Sequence, residues 1–459
     1  MEQITKPHCG ARLDRLPDCR WHSSMFAIVA FGLLVCWSNA VGGLILAQLK
    51  ALGWTDNSTT ATFSAITTAG MFLGALVGGI IGDKTGRRNA FILYEAIHIA
   101  SMVVGAFSPN MDFLIACRFV MGVGLGALLV TLFAGFTEYM PGRNRGTWSS
   151  RVSFIGNWSY PLCSLIAMGL TPLISAEWNW RVQLLIPAIL SLIATALAWR
   201  YFPESPRWLE SRGRYQEAEK VMRSIEEGVI RQTGKPLPPV VIADDGKVPQ
   251  AVPYSALLTG VLLKRVILGS CVLIAMNVVQ YTLINWLPTI FMTQGINLKD
   301  SIVLNTMSMF GAPFGIFIAM LVMDKIPRKT MGVGLLILIA VLGYIYSLQT
   351  SMLLITLIGF FLITFVYMYV CYASAVYVPE IWPTEAKLRG SGLANAVGRI
   401  SGIAAPYAVA VLLSSYGVTG VFILLGAVSI VVAIAIATIG IETKGVSVES
   451  LSIDAVANK

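Results

Sequence analysis

An all-α membrane protein, with twelve transmembrane helices in two pseudo-symmetric six-helix bundles, is the fold class predicted by three observations. The first is composition. The 459 residues are 56% hydrophobic and only 12% charged, with a mean hydropathy of +0.72, against roughly 25% charged residues in a soluble globular chain. The second is length: apolar runs of about 20 residues, enough to cross ~30 Å of hydrocarbon, recur down the chain. They are unbroken, as helices require, and lack the alternation of barrel strands. The third is internal repetition. Gly79-x3-Asp83-Lys84-Thr85-Gly86-Arg87-Arg88 is answered by Ala319-x4-Asp324-Lys325-Ile326-Pro327-Arg328-Lys329. Glu138-x2-Pro141-x3-Arg145-Gly146 is answered by Glu380-x2-Pro383-x5-Arg389-Gly390. Duplicated loops between membrane spans imply two homologous bundles in parallel repeat, the architecture of a rocking secondary transporter.

The helices are expected at 24–49, 60–81, 90–107, 112–138, 148–173, 181–202, 264–292, 301–323, 331–349, 352–379, 390–415 and 418–440. Residues 1–23 read as a mobile, basic cytoplasmic tail, 24–202 as the first bundle and 264–440 as the second. The first helix is too long for a removable signal and is expected to remain. Residues 441–459 form a second tail. Between the bundles, 203–263 is the one sizeable polar insert. Ser205 and Pro206 suit a helix cap and first position. From Arg214 to Glu227, charges interleave with Tyr215, Ala218, Val221, Met222 and Ile225, the pattern of an amphipathic helix under the bundles. Residues 232–253 read as a Pro-rich linker.

The net charge of +9 points to topology and excludes a nucleic-acid partner. Of 33 Lys and Arg, 28 lie in the two tails, the even-to-odd connections or the span ends that adjoin them, so both termini and the central insert are expected in the cytoplasm. Lys50, Arg181 and Lys299 fall on the opposite side, and Arg118 and Arg399 within spans. The seven cysteines lie in the tail or in spans, which predicts no disulfide. The three histidines have no metal-ligand spacing, so neither metal nor cofactor is expected. No phosphate loop or nucleophile–base motif is present, which argues against an enzyme. The partners implied are a small-molecule substrate and the lipid bilayer, the chain itself being monomeric.

Asp83-Lys84-x-Gly86-Arg87-Arg88 resembles the signature loop of the major facilitator superfamily, and the resemblance covers the whole chain. An acid and a basic cluster at a helix end can lock against a facing bundle in one state and release in another; the plainer role is anchoring at anionic headgroups. Pro203-Glu204-Ser205-Pro206-Arg207-Trp208-Leu209 matches the signature of the sugar-porter and related metabolite-transporter branch. The resemblance implies a cytoplasmic gating network of Asp83, Arg87, Arg88, Glu138, Arg145, Glu204, Arg207, Asp324, Arg328, Glu380 and Arg389. Arg118-x3-Gly122-x-Gly124-x-Gly126 is also similar to a superfamily motif, its small residues allowing close helix approach. The stretch Tyr377-x2-Glu380-x2-Pro383 to Arg399 is closer to organic-ion and aromatic-acid transporters, and the hexose carriers' Gly-Pro-x-Pro-Trp is absent.

An ionisable residue inside a span is costly and functional by default. In proton-coupled sugar porters an acid on the first helix pairs with the arginine on the fourth; here Trp37-Ser38-Asn39 offers Asn39, which cannot ionise. Glu95 with His98, three apart on one helix face, is the remaining deep titratable cluster. Arg118 and Glu95 are therefore the coupling candidates, with a structural role for each as the alternative. Candidate substrate contacts are Asn39, Asn157, Trp158, Asn277, Gln280, Tyr281, Asn285, Trp286, Tyr372 and Arg399. Amides suit hydroxyls and aromatic faces suit sugar C–H or planar rings, whereas packing between helices is the plainer role for about half of them. Pro288 is expected to break the seventh helix.

The reading is a secondary transporter of a small polar metabolite (sugar, polyol or sugar acid) in the inner membrane, with uniport and proton symport both open. The alternative is a carrier of aromatic or heterocyclic carboxylates. A drug exporter is disfavoured because Gly156-Asn157-Trp158-Ser159-Tyr160-Pro161 lacks the exporters' glycine pattern. A transporter-like sensor is disfavoured because the tails and insert are too small for a signalling domain.

Overall fold

A computed structural model of the chain describes residues 7–17, 19–141, 145–240, 253–383 and 386–444. Among the described residues there is no strand, and nine helices are long and apolar enough to cross a membrane. Three interruptions relate those nine to twelve spans. The first span is broken into Arg20–Val35 and Gly42–Ala51, and the fifth into Arg145–Asn157 and Ser159–Leu170. The eleventh and twelfth run together as Lys387–Ile439 and are separated only at Gly417, whose φ of 64° and ψ of −159° are open to glycine alone without strain. The second, third, fourth and sixth spans are Asn57–Thr85, Arg87–Ala106, Met111–Tyr139 and Ala176–Tyr201. In the second half the seventh to tenth are Gly260–Thr293, Leu298–Val322, Arg328–Ser347 and Met352–Glu380.

The seventh span does not break at Pro288, as the sequence had suggested. Pro288 lies inside a helix continuous to Thr293, where it withdraws one N–H from the ladder and leaves the Ile284 carbonyl without that donor. The tenth span instead changes character after Val370. Residues Cys371–Tyr377 form a π-helical stretch, a widening that often accompanies functional sites. There Tyr372 stacks on Tyr377 with ring centroids 5.0 Å apart.

The described residues pack as two compact units. One draws on Met1–Asn39, Gly70–Ser159 and Leu184–Lys247, the other on Ala40–Ala69, Tyr160–Gln183 and Val248–Lys459. Both helix breaks of the first half coincide with passages between units, at Asn39–Ala40 and Ser159–Tyr160. In the first unit the apolar core joins Met25 and Val29 of the first span to Leu132, Phe136 and Tyr139 of the fourth and Phe202 beyond the sixth. In the second unit Ala61 of the second span packs with Trp286, Ile290, Val409 and Leu413.

The N-terminal residues correct a sequence expectation. Cys9–Asp14 is helical, not mobile, and Cys9, Leu13 and Leu16 are fully buried. They pack on Trp208 and Leu209 and on Ala218, Met222, Ile225 and Val229, the last four being the apolar face of the amphipathic helix Tyr215–Thr233. Arg12 bonds Glu219 and, at 2.7 Å, Glu226, which Arg15 also reaches at 2.7 Å. Burial alone would push the Glu226 carboxyl up, but the two arginines outweigh it and hold it below the ordinary carboxylate range. The amphipathic helix thus covers its apolar face with the chain's own N-terminal segment. Residues 1–6 and most of the expected linker lie outside the described residues.

Candidate functional site

Each unit builds one charged corner from its copy of the repeated loop. In the first, Ser205 caps the short helix Pro206–Ser211 through the Trp208 N–H, with Pro206 at its first position. This holds Glu204 against the start of the third span. The Glu204 carboxylate accepts the backbone N–H of Arg87 at 2.7 Å and of Arg88 at 3.2 Å, satisfying donors that a helix start leaves open. The Arg87 side chain meets Asp83 at 2.7 Å and Glu138 at 2.9 Å. Gly86 is required twice over: its φ is +96°, and a Cβ there would lie 2.3 Å from Glu204 Oε2. The Trp208 indole and Arg212 both donate to the Asp83 carbonyl, Arg88 donates to the Trp199 carbonyl, and Tyr139 donates to that of Pro203.

The second corner repeats the scheme. Arg328 bonds both oxygens of Glu380, at 3.0 and 3.1 Å, and Asp324 at 3.2 Å. The backbone N–H groups of Arg328 and Lys329 bond Glu442 at 2.8 and 3.1 Å. Glu442 therefore plays the part of Glu204, and the sequence reading missed it. Burial would raise its carboxyl, but the N–H donors of Arg328, Lys329 and Lys444 outweigh that and lower it. Thr443 adds a 2.6 Å bond to Glu380.

Other expected gating residues have partners of their own. Arg207 pairs with Asp14 at 3.0 Å, and the Arg389 guanidinium lies over the Tyr254 ring at 5.2 Å. The side chain of Arg145 lies outside the described residues. Each corner is closed by bonds within its own unit.

The first unit also holds a buried polar cluster at the break in the first span, where residues 36–41 leave the helix. Arg118 donates to the freed carbonyl of Ser38 at 2.7 Å. The Ser38 hydroxyl and His98 Nε2 are 2.7 Å apart, and His98 Nδ1 is 3.5 Å from Glu95 Oε2. Ser38, Glu95 and His98 are completely buried, and Arg118 almost so. Close approach is built in, since a Cβ at Gly124 would lie 3.0 Å from the His98 backbone nitrogen and one at Gly126 2.1 Å from the Met71 carbonyl. Asn39, half-buried, follows Ser38 in the break. Asn157 bonds back to the Ser153 carbonyl, and Trp158, partly exposed, sits at the fifth-span break.

In the second unit the seventh and eleventh spans pack closely. Gly398 abuts Asn277, and Gly402 abuts the Tyr281 ring. Arg399 stands between those contact points, half-buried, and its Nη1 is buried without a hydrogen bond among the described residues. Asn277 bonds to the Leu273 carbonyl. The Tyr367 ring meets Tyr160 at 5.3 Å; Gln280 and Tyr160 flank its hydroxyl, although no bond of good geometry forms. Asn285 and Trp286 are buried, Trp286 with a bond-free indole N–H. Tyr372, also buried, turns instead to Tyr369 and Tyr377. One polar group, Gln48, escaped the sequence reading. Gln48 is fully buried with both amide atoms unbonded, and Asn305 reaches Ser164 at 3.2 Å. Gln48 sits in an apolar run with no motif around it, so its polarity alone marked it.

Comparisons with known proteins agree with this geometry. The chain is 44% identical over 455 residues to the inner membrane metabolite transport protein YdjE of Escherichia coli (strain K12), covering 98% of this chain and 99% of that protein. It is 26% identical to the niacin transporter NiaP of Acinetobacter baylyi, over 96% of this chain and 99% of the relative. The fold matches a partially occluded, inward-open structure of the E. coli xylose transporter XylE with a TM-score of 0.73 at 18% identity, covering 93% of this chain and all of that one. The Major Facilitator Superfamily profile matches residues 25–406. With twelve spans, a repeated pair of charged corners and relatives matched along their whole length, the chain is a membrane transporter of the Major Facilitator Superfamily, of the metabolite and sugar-transporter type, and not an enzyme.

Proposed function

We propose that the chain carries a hydroxylated metabolite bearing a carboxylate, a sugar acid, across the inner membrane by alternating access, with both termini cytoplasmic. Arg399 is the observation that carries this reading. A guanidinium within a span is costly unless it meets a charge, a cavity or a ligand, and Arg399 has no carboxylate within ion-pair reach among the described residues. The amides of Asn277, Gln280 and Asn285 on the adjacent span supply donors and acceptors for hydroxyls. The name of the E. coli relative supports inner-membrane metabolite transport.

A second reading is an aromatic or heterocyclic carboxylate. The Tyr160–Tyr367 pair and Tyr281 favour it, as does the relative named for niacin, a pyridine carboxylate. Thermal-shift screening of purified protein against neutral sugars, sugar acids and aromatic acids separates the two. A ligand at a hundredfold its Kd stabilises by about 2.7 kcal/mol. Sugar acids are expected to raise the Tm of the wild type and not of Arg399→Ala. A rise with aromatic acids alone moves the assignment to the second reading, and a rise with neutral sugars alone removes the carboxylate from it.

A further inference from the structure

We propose that Glu95 and His98 form one proton-binding site that acts on the break in the first span through the Ser38 hydroxyl, in place of an acid on the first helix. The inference deepens the transporter reading and rests on it only for the use to which the proton is put. Its basis is geometric. Glu95 is completely buried, and neither carboxylate oxygen has a hydrogen-bond partner among the described residues. A bare carboxylate in that position carries a desolvation penalty of several kcal/mol, which protonation removes. His98, equally buried, presents Nδ1 at 3.5 Å, also without a hydrogen bond. One proton can therefore rest on Glu95 or on His98.

Few ionisable groups face the pair among the described residues. The first span offers Cys36, within electrostatic reach of Glu95, and Ser38. The fourth span offers Arg118, whose guanidinium is bonded to the Ser38 carbonyl, and Cys117 near Gly105, more than two turns from Glu95. On the third span itself Tyr94 is bonded to the Gly78 carbonyl. The second span has no titratable residue between Asn57 and Gly82, nor the sixth between Val182 and Trp199.

Transmission runs through the other imidazole nitrogen. With His98 neutral and its proton on Nδ1, Nε2 accepts from the Ser38 hydroxyl at 2.7 Å. With His98 protonated, both ring nitrogens donate, and the Ser38 hydroxyl must turn its hydrogen elsewhere. Ser38 is the residue whose carbonyl holds Arg118, and Asn39 follows it. Proton uptake thus rearranges the hydrogen bonds of the first span at its one non-helical stretch, residues 36–41. Broken helices at mid-span are where transporters place ion and substrate sites. The proton arrives from water on one side of the membrane and leaves to water on the other, with no other bond made or broken.

The test needs no substrate. Infrared difference spectra of the purified full-length protein, recorded as pH is stepped, report the C=O stretch of a buried carboxylic acid. A band that titrates in the wild type, vanishes in Glu95→Gln and shifts its pH midpoint by a unit or more in Ser38→Ala supports the proposal. A band that persists in Glu95→Gln overturns it, as does no titrating band at all. A midpoint unmoved in Ser38→Ala, which removes only the hydroxyl on His98, also overturns it. That arm stands if Glu95→Gln fails to fold. Because proton binding is read directly, a wrong substrate class leaves the result intact, and a missing proton site leaves the substrate screen intact.

Discussion

The Arg87 and Arg328 corners apply one design with two degrees of closure. Each begins a helix with an arginine bonded to an acid four residues earlier and to a glutamate at the end of another span. In each, a second glutamate takes the helix-start N–H groups. At the second corner Arg328 is only 6% exposed and spans both oxygens of Glu380. At the first, Arg87 makes a single bond to Glu138, whose other oxygen is unbonded. The first corner has a cover formed by Pro206–Ser211, with Trp208 and Arg212 on the Asp83 carbonyl and the N-terminal helix beyond; at the second, among the described residues, Lys444 reaches the Lys325 carbonyl. The second corner gathers its acids around one nearly buried guanidinium, and the first spreads its bonds over more residues.

The sharpest way to break this comparison is to remove both arginines in turn. Arg328→Ala removes a nearly buried guanidinium that bonds both oxygens of a one-third-exposed Glu380 and is expected to lose about 2–3 kcal/mol, the upper end for bonds to charged groups. Arg87→Ala is expected to lose about 1–3 kcal/mol, as for leaving a partly buried acceptor unsatisfied. Denaturation in detergent checks the order; equal losses would erase the distinction. Gly86 comes next, because its counterpart is Pro327 with an ordinary φ of −55°. Gly86→Ala is expected to lose about 1–3 kcal/mol, and Pro327→Ala little. The loss at Gly86 should shrink when Glu204 is also changed to Ala, which removes the clashing carboxylate.

The smallest effect sharpens the parallel between the two capping glutamates. Glu442→Gln is expected to lose about 0.5–2 kcal/mol at neutral pH, a helix-cap magnitude. The Glu442 carboxyl is lowered in the folded chain, so its contribution is present at neutral pH and disappears as pH falls through the folded pKa. The stability gap between wild type and Glu442→Gln should therefore close on acidification. A gap independent of pH would remove Glu442 from its role as the mirror of Glu204.

Much of this was legible in the sequence, and the gaps have physical reasons. Asp83, Arg87, Asp324 and Arg328 announced themselves because a charged loop between apolar runs has few alternatives, and the repeat doubled the signal. Glu442 did not, because its equivalence to Glu204 is positional, both following the last turn of a bundle, and the residues around the two differ. The docked N-terminal helix left a trace in Cys9, Leu13 and Leu16, spaced to share one helical face, which the surrounding charge obscured. The Ser38–His98 contact had no sequence signal, since it depends on a helix break at residues 36–41 that only the Gly42-Gly43 pair after it hints at. The merging of the last two spans at Gly417 lies beyond what hydropathy can resolve.

If the eleventh-span arginine meets a substrate carboxylate, removing it must cost the carrier that substrate. Uptake of a labelled sugar acid into proteoliposomes containing the full-length protein, wild type against Arg399→Ala, tests it most directly. Saturable uptake is expected from the wild type and its loss from the variant; undiminished uptake by Arg399→Ala would take the arginine out of substrate binding.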